Sequence, residues 1–594
     1  MLKNFRSAFI PFSHFIPVCI SNFKFVVHKI SRAISGFPAM SDYPEALGDA
    51  VANRAPREVG EYLKLVTKGR NTHLRTLETE TELYGKSFND PLHGHFDVHP
   101  LLVMIIDTPE FQRLRGIKAL GCTFLVYPGA THTRFEHCIG VSHLAGRLIK
   151  ALKERQPELQ ISRSEILCVQ IAGLLHDLGH GPFSHMWEKV VNLVNPGAHW
   201  EHEEMSIKMF HHLLDTNKEL RPAFTVFGLQ EEDIKFIGEL IMGWKRSTAT
   251  RPNSKRFLYD IVANKRSGVD VDKWDYLSRD SRQVGMKNQF DCERFIKFSR
   301  VLWTDELENG EKVMYTQIGF RDKEIENIYD MFNLRVKMHK RVYQHHVVRI
   351  LDAMICEAIK AANDHMWITG NKGQCHPAVA YGDVSAYRKL NDNILEDIYN
   401  DDVRPEMAAA RALIHRIKTR KLYTLLGRTQ PSEMFADPEE TVRAQIIQTA
   451  TTLHEALTIP PVTAAALMTN LLVIKSCYSY GMGADNPNEL VAFYGKDDAD
   501  TARFVSRTEV STLLPTKYQE CEILICYRSE DQDEIAAARE VIQAWARRKK
   551  ILLNKSSVKM TTTKRKRDDQ GSDEEPLGSP KSVRKQDASK NLRL

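Results

Sequence analysis

Apolar residues settle into a helical period at Phe111, Leu114 and Ile117, with Gln112 and Arg115 off the stripe. That spacing predicts a helix opening at Thr108-Pro109-Glu110. Upstream, Ser41 to Gly85 is polar and reads as a lead-in, and the turn Asn89-Asp90-Pro91 places the start of the compact region near Lys86. After the Pro128-Gly129 turn a long helix follows from about His132, on which Arg134 and His137 share a face. From Ser164, the residues Ile166, Leu167, Val169, Ile171, Leu174 and Leu175 cover most of a helix circumference, which predicts a buried helix. It runs into His176-Asp177, with His180 one turn later and a Gly181-Pro182 break. Beyond Gly427, RTQPSEMFADPEET reads as a loop, LVAFYG, ARFVSR and CEILICYR as short strands, and DEIAAAREVIQAWARRKK as a helix. The expected fold is mainly α: a helical core over 86–427 and a smaller C-terminal α/β lobe over 428–553, flanked by segments 1–40, 41–85 and 554–594.

Composition narrows this picture. With 594 residues and 42% hydrophobic content, one domain of ordinary size cannot hold the chain. The 82 basic and 76 acidic residues nearly balance, so any preference for anions must be local. Ten cysteines without a CxxC pair argue for reduced thiols and no structural disulfide. No stretch reads as membrane-spanning. Residues 1–39 are basic and acid-free, as in organelle transit peptides, although Pro11 and Pro17 interrupt a helix there, and Met40 is an alternative start. The tail from Asn554 is disordered by composition and carries Lys564-Arg565-Lys566-Arg567, a nuclear-type patch, and Ser579-Pro580-Lys581, a proline-directed phosphorylation motif. The expected location is nucleus, cytoplasm or both, with mitochondria as the alternative.

The candidate chemistry is concentrated around His176-Asp177. Polar groups at the end of a buried helix cost several kcal/mol unless satisfied, and a metal ion would satisfy both. His137, His176, Asp177 and one of Asp270 or Asp272 make two imidazoles and two carboxylates, a set that suits Fe, Mn, Zn or Mg with room for water and substrate. Arg134, Lys273 and Arg335 are candidates to neutralise phosphates, and His180, His185 and His202 remain to move protons, with Glu203 to orient an imidazole. Two basic patches fit a nucleotide or a nucleic-acid strand: Arg321, Lys323 and Asn327, then Arg335, Lys337, His339, Lys340, Arg341, His345 and His346 around Tyr343. The reaction class implied is hydrolysis of a phosphate ester.

The ordered set NDPLHGH, FQRLR, RFEH, HDLGHGPFSH and DVDKWDY resembles the SAM-and-HD-domain deoxynucleoside triphosphate triphosphohydrolases, densely from Lys86 to Tyr343 and more weakly to about Lys550. The resemblance implies an HD core that cleaves dNTPs to deoxynucleoside and inorganic triphosphate. It implies His137, His176, Asp177 and Asp272 as ligands of one ion, iron or zinc with manganese as an alternative, and Mg2+ accompanying the nucleotides. It further implies acid-base work by His180, His202 and Glu203, and an approach of His185 to the α-phosphate. The triphosphate would be held by Arg134, Lys273 and Arg335, and the sugar and base lined by Tyr276, Asp280, His339 and Tyr343. Activation by nucleotides that assemble a homotetramer is implied as well, with GTP at Lys86, Asp107, Gln112 and Arg115 and a dNTP at Asn89, Arg294, Arg321, Lys323, Asn327 and His345. A role in limiting dNTP supply to viruses belongs to the same resemblance. The sequence departs from the family pattern at Ala119, where a Gln is usual, at His346 for a Lys and at Glu188 for an Asp, and no SAM domain is recognisable before Lys86. The competing readings are an HD phosphodiesterase or nuclease, and a catalytically weak protein that senses nucleotides or binds single-stranded nucleic acid.

Overall fold

The computed structural model describes residues 75–76, 83–308, 310–432, 437–455 and 462–554. A hairpin opens the core: β1 (Lys86–Asp90) pairs antiparallel with β2 (Gly94–Val98), Asp90 opposite Gly94. Helices follow in order: α1 (Pro100–Ile106), α2 (Arg134–Arg155), α3 (Arg163–Leu175), α4 (Met186–Val194), α5 (His202–Thr216), α6 (Glu231–Met242) and α7 (Val271–Gln283). The start of α2 is two residues later than the apolar pattern suggests, because Thr133 and Glu136 form a capping box that fixes the first turn. Ser162 and Glu165 do the same for α3. α6 packs on α3, α3 on α2 and α2 on α7, and residues such as Phe135, Val141, Leu144, Val169, Ile171, Leu174 and Trp274 form the centre of the main core.

A second hairpin, β3 (Ser299–Glu308) with β4 (Glu311–Arg321), stands where the sequence reading assigns no strand. It leads into α8 (Ile325–Met338), a wide π-type turn over His339–Tyr343, and α9 (His346–Asn363), which packs on α4 and α10 (Ala408–Lys418). A π turn inserts an extra residue per turn and re-aims the side chains it carries, here His339 and Tyr343.

The C-terminal sheet has the order β6-β8-β5, built from β5 (Thr424–Arg428), β6 (Leu471–Ser479) and β8 (Gln519–Tyr527), all antiparallel. With α11 (Glu439–Glu455), α12 (Val462–Asn470) and α13 (Gln532–Lys549) it encloses a second core of Leu426, Ile446, Leu471, Ile523, Ile525 and Trp545. Two of the expected strands behave differently. LVAFYG supplies β7 (Ala492–Tyr494), which joins the first core by pairing parallel to β4, Ala492 opposite Gly319. ARFVSR forms only an isolated bridge, Arg503 with Phe493, and Thr501 just before it bridges Trp303.

The expectation of no structural disulfide is corrected: Cys477 and Cys521 face each other across β6 and β8, Cα atoms 4.1 Å apart, and are bonded. Spacing of 44 residues hides such a pair from motif reading, since only strand register brings the two side chains together. No helix among the described residues is long and apolar enough to cross a membrane. Met1–Met40, the nuclear-type patch and Ser579 lie outside the described residues.

Candidate metal centre

Two helix starts and one helix end bring the candidate ligands together. His137 lies in the first turn of α2, His176 caps α3 with Asp177 beside it, and Asp272 sits in the first turn of α7. His137 Nε2 is 3.2 Å from Asp272 Oδ1 and 3.5 Å from Asp177 Oδ2. His176 Nε2 is 3.4 Å from Asp272 Oδ1 and 3.5 Å from Asp177 Oδ1. The other nitrogen of each ring is already engaged: His137 Nδ1 with Asp275 Oδ2 at 2.8 Å, and His176 Nδ1 with the Gly173 carbonyl at 2.8 Å. Both Nε2 atoms are buried without a hydrogen-bond partner, the arrangement of a ligand set rather than of a finished hydrogen-bond network. Two imidazoles and two carboxylates suit a first-row transition ion. Asp270, which local sequence does not separate from Asp272, is used elsewhere. It caps α7 by accepting from the Lys273 N–H and bonds Lys273 Nζ at 3.0 Å.

Electrostatics separates two sets of histidines. Burial alone would push His137 down, but Asp272, Asp275 and Asp177 outweigh it and hold the imidazole up at about 10. His176 is likewise raised against burial by Asp177 and Asp272. The second set is His180, His185 and His202, whose ring centroids lie 4.0–5.4 Å apart, with His180 and His202 stacked. Burial and the Arg134 charge hold His180 far below the ordinary imidazole value, and burial lowers His202. His185 opens to solvent and is lowered by the surrounding protein and by Arg134. His202 Nδ1 is 3.2 Å from Glu203 Oε2, whose charge acts on that ring against burial.

The segment between the sets is tightly built. A Cβ on Gly179 would fall inside the backbone of His202 and Ser206, so glycine lets the loop press against α5. Phe183 and Ser184 then adopt left-handed backbone, at φ 59° and 60°, a conformation that costs on the order of 1 kcal/mol or more for non-glycine residues. The strain aims Ser184 Oγ at Arg134 Nε, 3.0 Å away, while Arg134 also pairs with Asp177. The sequence alone assigns Ser184 no role.

A match to the HD domain model covers residues 134–280, a span that holds both histidine sets, Asp177 and Asp272. Over 471 residues the chain is 45% identical to deoxynucleoside triphosphate triphosphohydrolase SAMHD1 of Gallus gallus, covering 77% of this chain and 75% of that protein. This chain belongs to the SAMHD1 family of HD-domain proteins. The Homo sapiens SAMHD1 is 44% identical over 77% of this chain and 73% of its own, and the Dictyostelium discoideum homolog 37% identical over 76% and 78%.

The remaining candidates fall into two groups. Around the cleft, Asp280 takes His132 Nε2 on one oxygen and the Tyr343 hydroxyl on the other, both at 2.7 Å. Tyr276 is raised by burial, against the nearby charges of Arg335 and Lys273. Burial, Arg335 and His185 lower His339 to about 3, and its ring meets Tyr343 edge-on at 5.0 Å. Arg335 donates to the Ser479 carbonyl of β6, so the C-terminal lobe holds one wall of the cleft. His132 is a partner that sequence reading misses, since 148 residues separate it from Asp280. Farther out, Arg115 bonds Gln112 at 2.8 Å and Gln112 bonds the Ile106 carbonyl, next to Asp107. Arg294 pairs with Glu324, Asn327 bonds Glu324 at 3.1 Å, and Lys323 and Arg294 both lie over Phe298. Arg321 bonds Asp322 at 2.9 Å. Lys86 and Asn89 are exposed on β1, and His345 caps α9, so these three sit on other elements.

Proposed function

We propose that this chain is a metal-dependent triphosphohydrolase that cleaves dNTPs to deoxynucleoside and inorganic triphosphate. The observation that carries the reading is the convergence of His137, His176, Asp177 and Asp272, with two orphaned imidazole nitrogens at the centre. These four residues would hold the ion, iron or zinc with manganese third. When bound, a divalent ion supplies Lewis acidity to a phosphoryl oxygen and lowers the pKa of water.

The chain's own groups do the rest. Arg134, Lys273 and Arg335 present cations to the triphosphate; Arg134 does so after exchanging its pairing with Asp177, and Lys273 its pairing with Asp270. A water oxygen joins the α-phosphorus and gives up a proton to His202, the bond from phosphorus to O5′ breaks, and the leaving oxygen takes a proton. His185 faces the cleft beside His180 and His202, and a triphosphate placed there raises its proton affinity and equips it to donate. Glu203 steadies His202. Tyr276, Asp280, His339 and Tyr343 bound the sugar and base.

GTP and dNTP, with Mg2+, act at the outlying residues Lys86, Asp107, Gln112 and Arg115 and at Asn89, Arg294, Arg321, Lys323, Asn327 and His345, and assemble a homotetramer. The protein works in the nucleus or cytoplasm, with residues 1–39 as a mitochondrial alternative, within a dNTP-limiting antiviral role. The single-stranded nucleic-acid reading is less favoured, because Lys337 is tied to Gln289 and Lys340 to Glu520. To test the central reading, the full chain is given each dNTP with GTP, Mn2+ and Mg2+, and the products are separated. Inorganic triphosphate with parental protein and none with His176→Ala supports it; equal turnover in both overturns it.

A further inference from the structure

Asp275 has no part in the chemistry above, yet its side chain has zero exposure. Four donors converge on its two oxygens. His93 Nε2 lies 2.6 Å from Oδ1, His137 Nδ1 2.8 Å from Oδ2, and the Arg279 guanidinium meets both oxygens at 2.8 Å. A carboxylate offers about four lone-pair sites, so all of them are taken. Arg279 reaches on to Asp90 Oδ2 at 2.9 Å. Asp90 ends β1, and its Oδ1 accepts the N–H groups of Leu92 and His93, which closes the hairpin turn. Space for the pair is made on α2. A Cβ at Gly140, three residues past His137, would collide with Asp275 Oδ1 and Arg279 Nη2. Glycine inside a helix costs about 1 kcal/mol relative to alanine, so the position gives up helix stability to admit the carboxylate.

We propose that Asp275 is the positioning residue of the metal centre, and that through Arg279 and Asp90 it ties the β1–β2 hairpin to His137. Accepting the Nδ1 proton of His137 fixes the tautomer in which Nε2 carries its lone pair toward the ligand cluster, and fixes the plane of the ring. His93 and Arg279 immobilise Asp275 in turn. The hairpin that exposes Lys86 and Asn89 to solvent is therefore joined to a metal ligand by two buried carboxylates bridged by one guanidinium.

This inference rests on His137 being a metal ligand, and its test separates the two claims. The full chain is stripped of metal and titrated with Co2+, followed by the visible absorption of the bound ion, in the parent, His176→Ala, Asp275→Asn, His93→Gln and Asp90→Asn. Loss of an outer partner of a metal-bound histidine costs about 10–100-fold in metal affinity. Asp275→Asn is expected to weaken Co2+ binding by that factor, to shift the Co2+ spectrum, and to recover turnover at excess metal. His93→Gln and Asp90→Asn, which leave Asp275 in place, are expected to weaken binding in the same direction by less; they carry the test if Asp275→Asn does not fold. Parental Co2+ affinity and spectrum in the folded variants, with binding lost in His176→Ala, overturns the positioning role alone. Parental binding in His176→Ala overturns the metal reading and this proposal with it.

Discussion

Two groups of histidines lie side by side in this cleft and are driven in opposite directions. His137 and His176 face Asp177 and Asp272, and their proton affinity is raised; His180 and His202 stack within reach of Arg134, and theirs is lowered. The residue type is the same and the separation is one turn of chain between His176 and His180. Neighbouring charge decides the role. Carboxylates outweigh burial in the first group and gather it around a cation, whether proton or metal, while in the second burial, joined by the Arg134 charge, keeps the rings neutral until an anion enters.

The largest expected effect breaks the first group. Asp177→Ala removes a carboxylate oxygen from both imidazoles and leaves Arg134 unpaired; turnover and bound metal should both disappear, as read by product separation and elemental analysis. The next acts on the second group. His185→Ala should lower kcat by about 10²–10⁴-fold, the usual range for one acid-base group, with metal content unchanged in elemental analysis. Loss of metal in that variant would merge the two groups into one.

A third prediction uses pH. In the metal-free protein His137 sits at about 10 against about 6.5 unfolded, so the folded state holds the extra proton between those values. Its contribution to stability is full below about pH 6.5 and is lost as pH rises toward 10. His180 is shifted the other way, so its contribution is present above about pH 6.5 and is lost as pH falls. Thermal unfolding of the metal-free protein across pH should therefore fall away on both sides of neutrality. Metal must also displace the His137 proton, so affinity for Mn2+ should climb as pH rises from 6.5 to 9 in calorimetric titration. The smallest effect is at the edge of the second group. Glu203→Gln keeps the shape around His202 but removes the charge, and should reduce kcat by less than His185→Ala does while leaving KM and metal content alone.

The first group was largely legible in the sequence because His176 and Asp177 are adjacent and end a helix that is apolar around most of its circumference. Asp272 was not separable from Asp270 by position, since both flank the same helix start; what distinguishes them is that Asp270 spends its oxygens on Lys273 and the Asn264 N–H. Asp275, His132 and His93 take no role in the sequence reading because their partners are 138 to 182 residues away and only the packing of α2 against α7 and the first hairpin brings them close. The same limit applies to the fold. The helical period announced α2, α3 and α13, whereas β7 found its partner on β4 and Cys477 met Cys521 through register, which local pattern does not encode.

The division of labour between the two histidine groups is tested most directly by measuring metal per chain and triphosphate release together in His176→Ala and His202→Ala. The account predicts His176→Ala without metal and without turnover, and His202→Ala with full metal and turnover reduced by about 10²–10⁴-fold. Metal lost from His202→Ala, or turnover retained in His176→Ala, would contradict it.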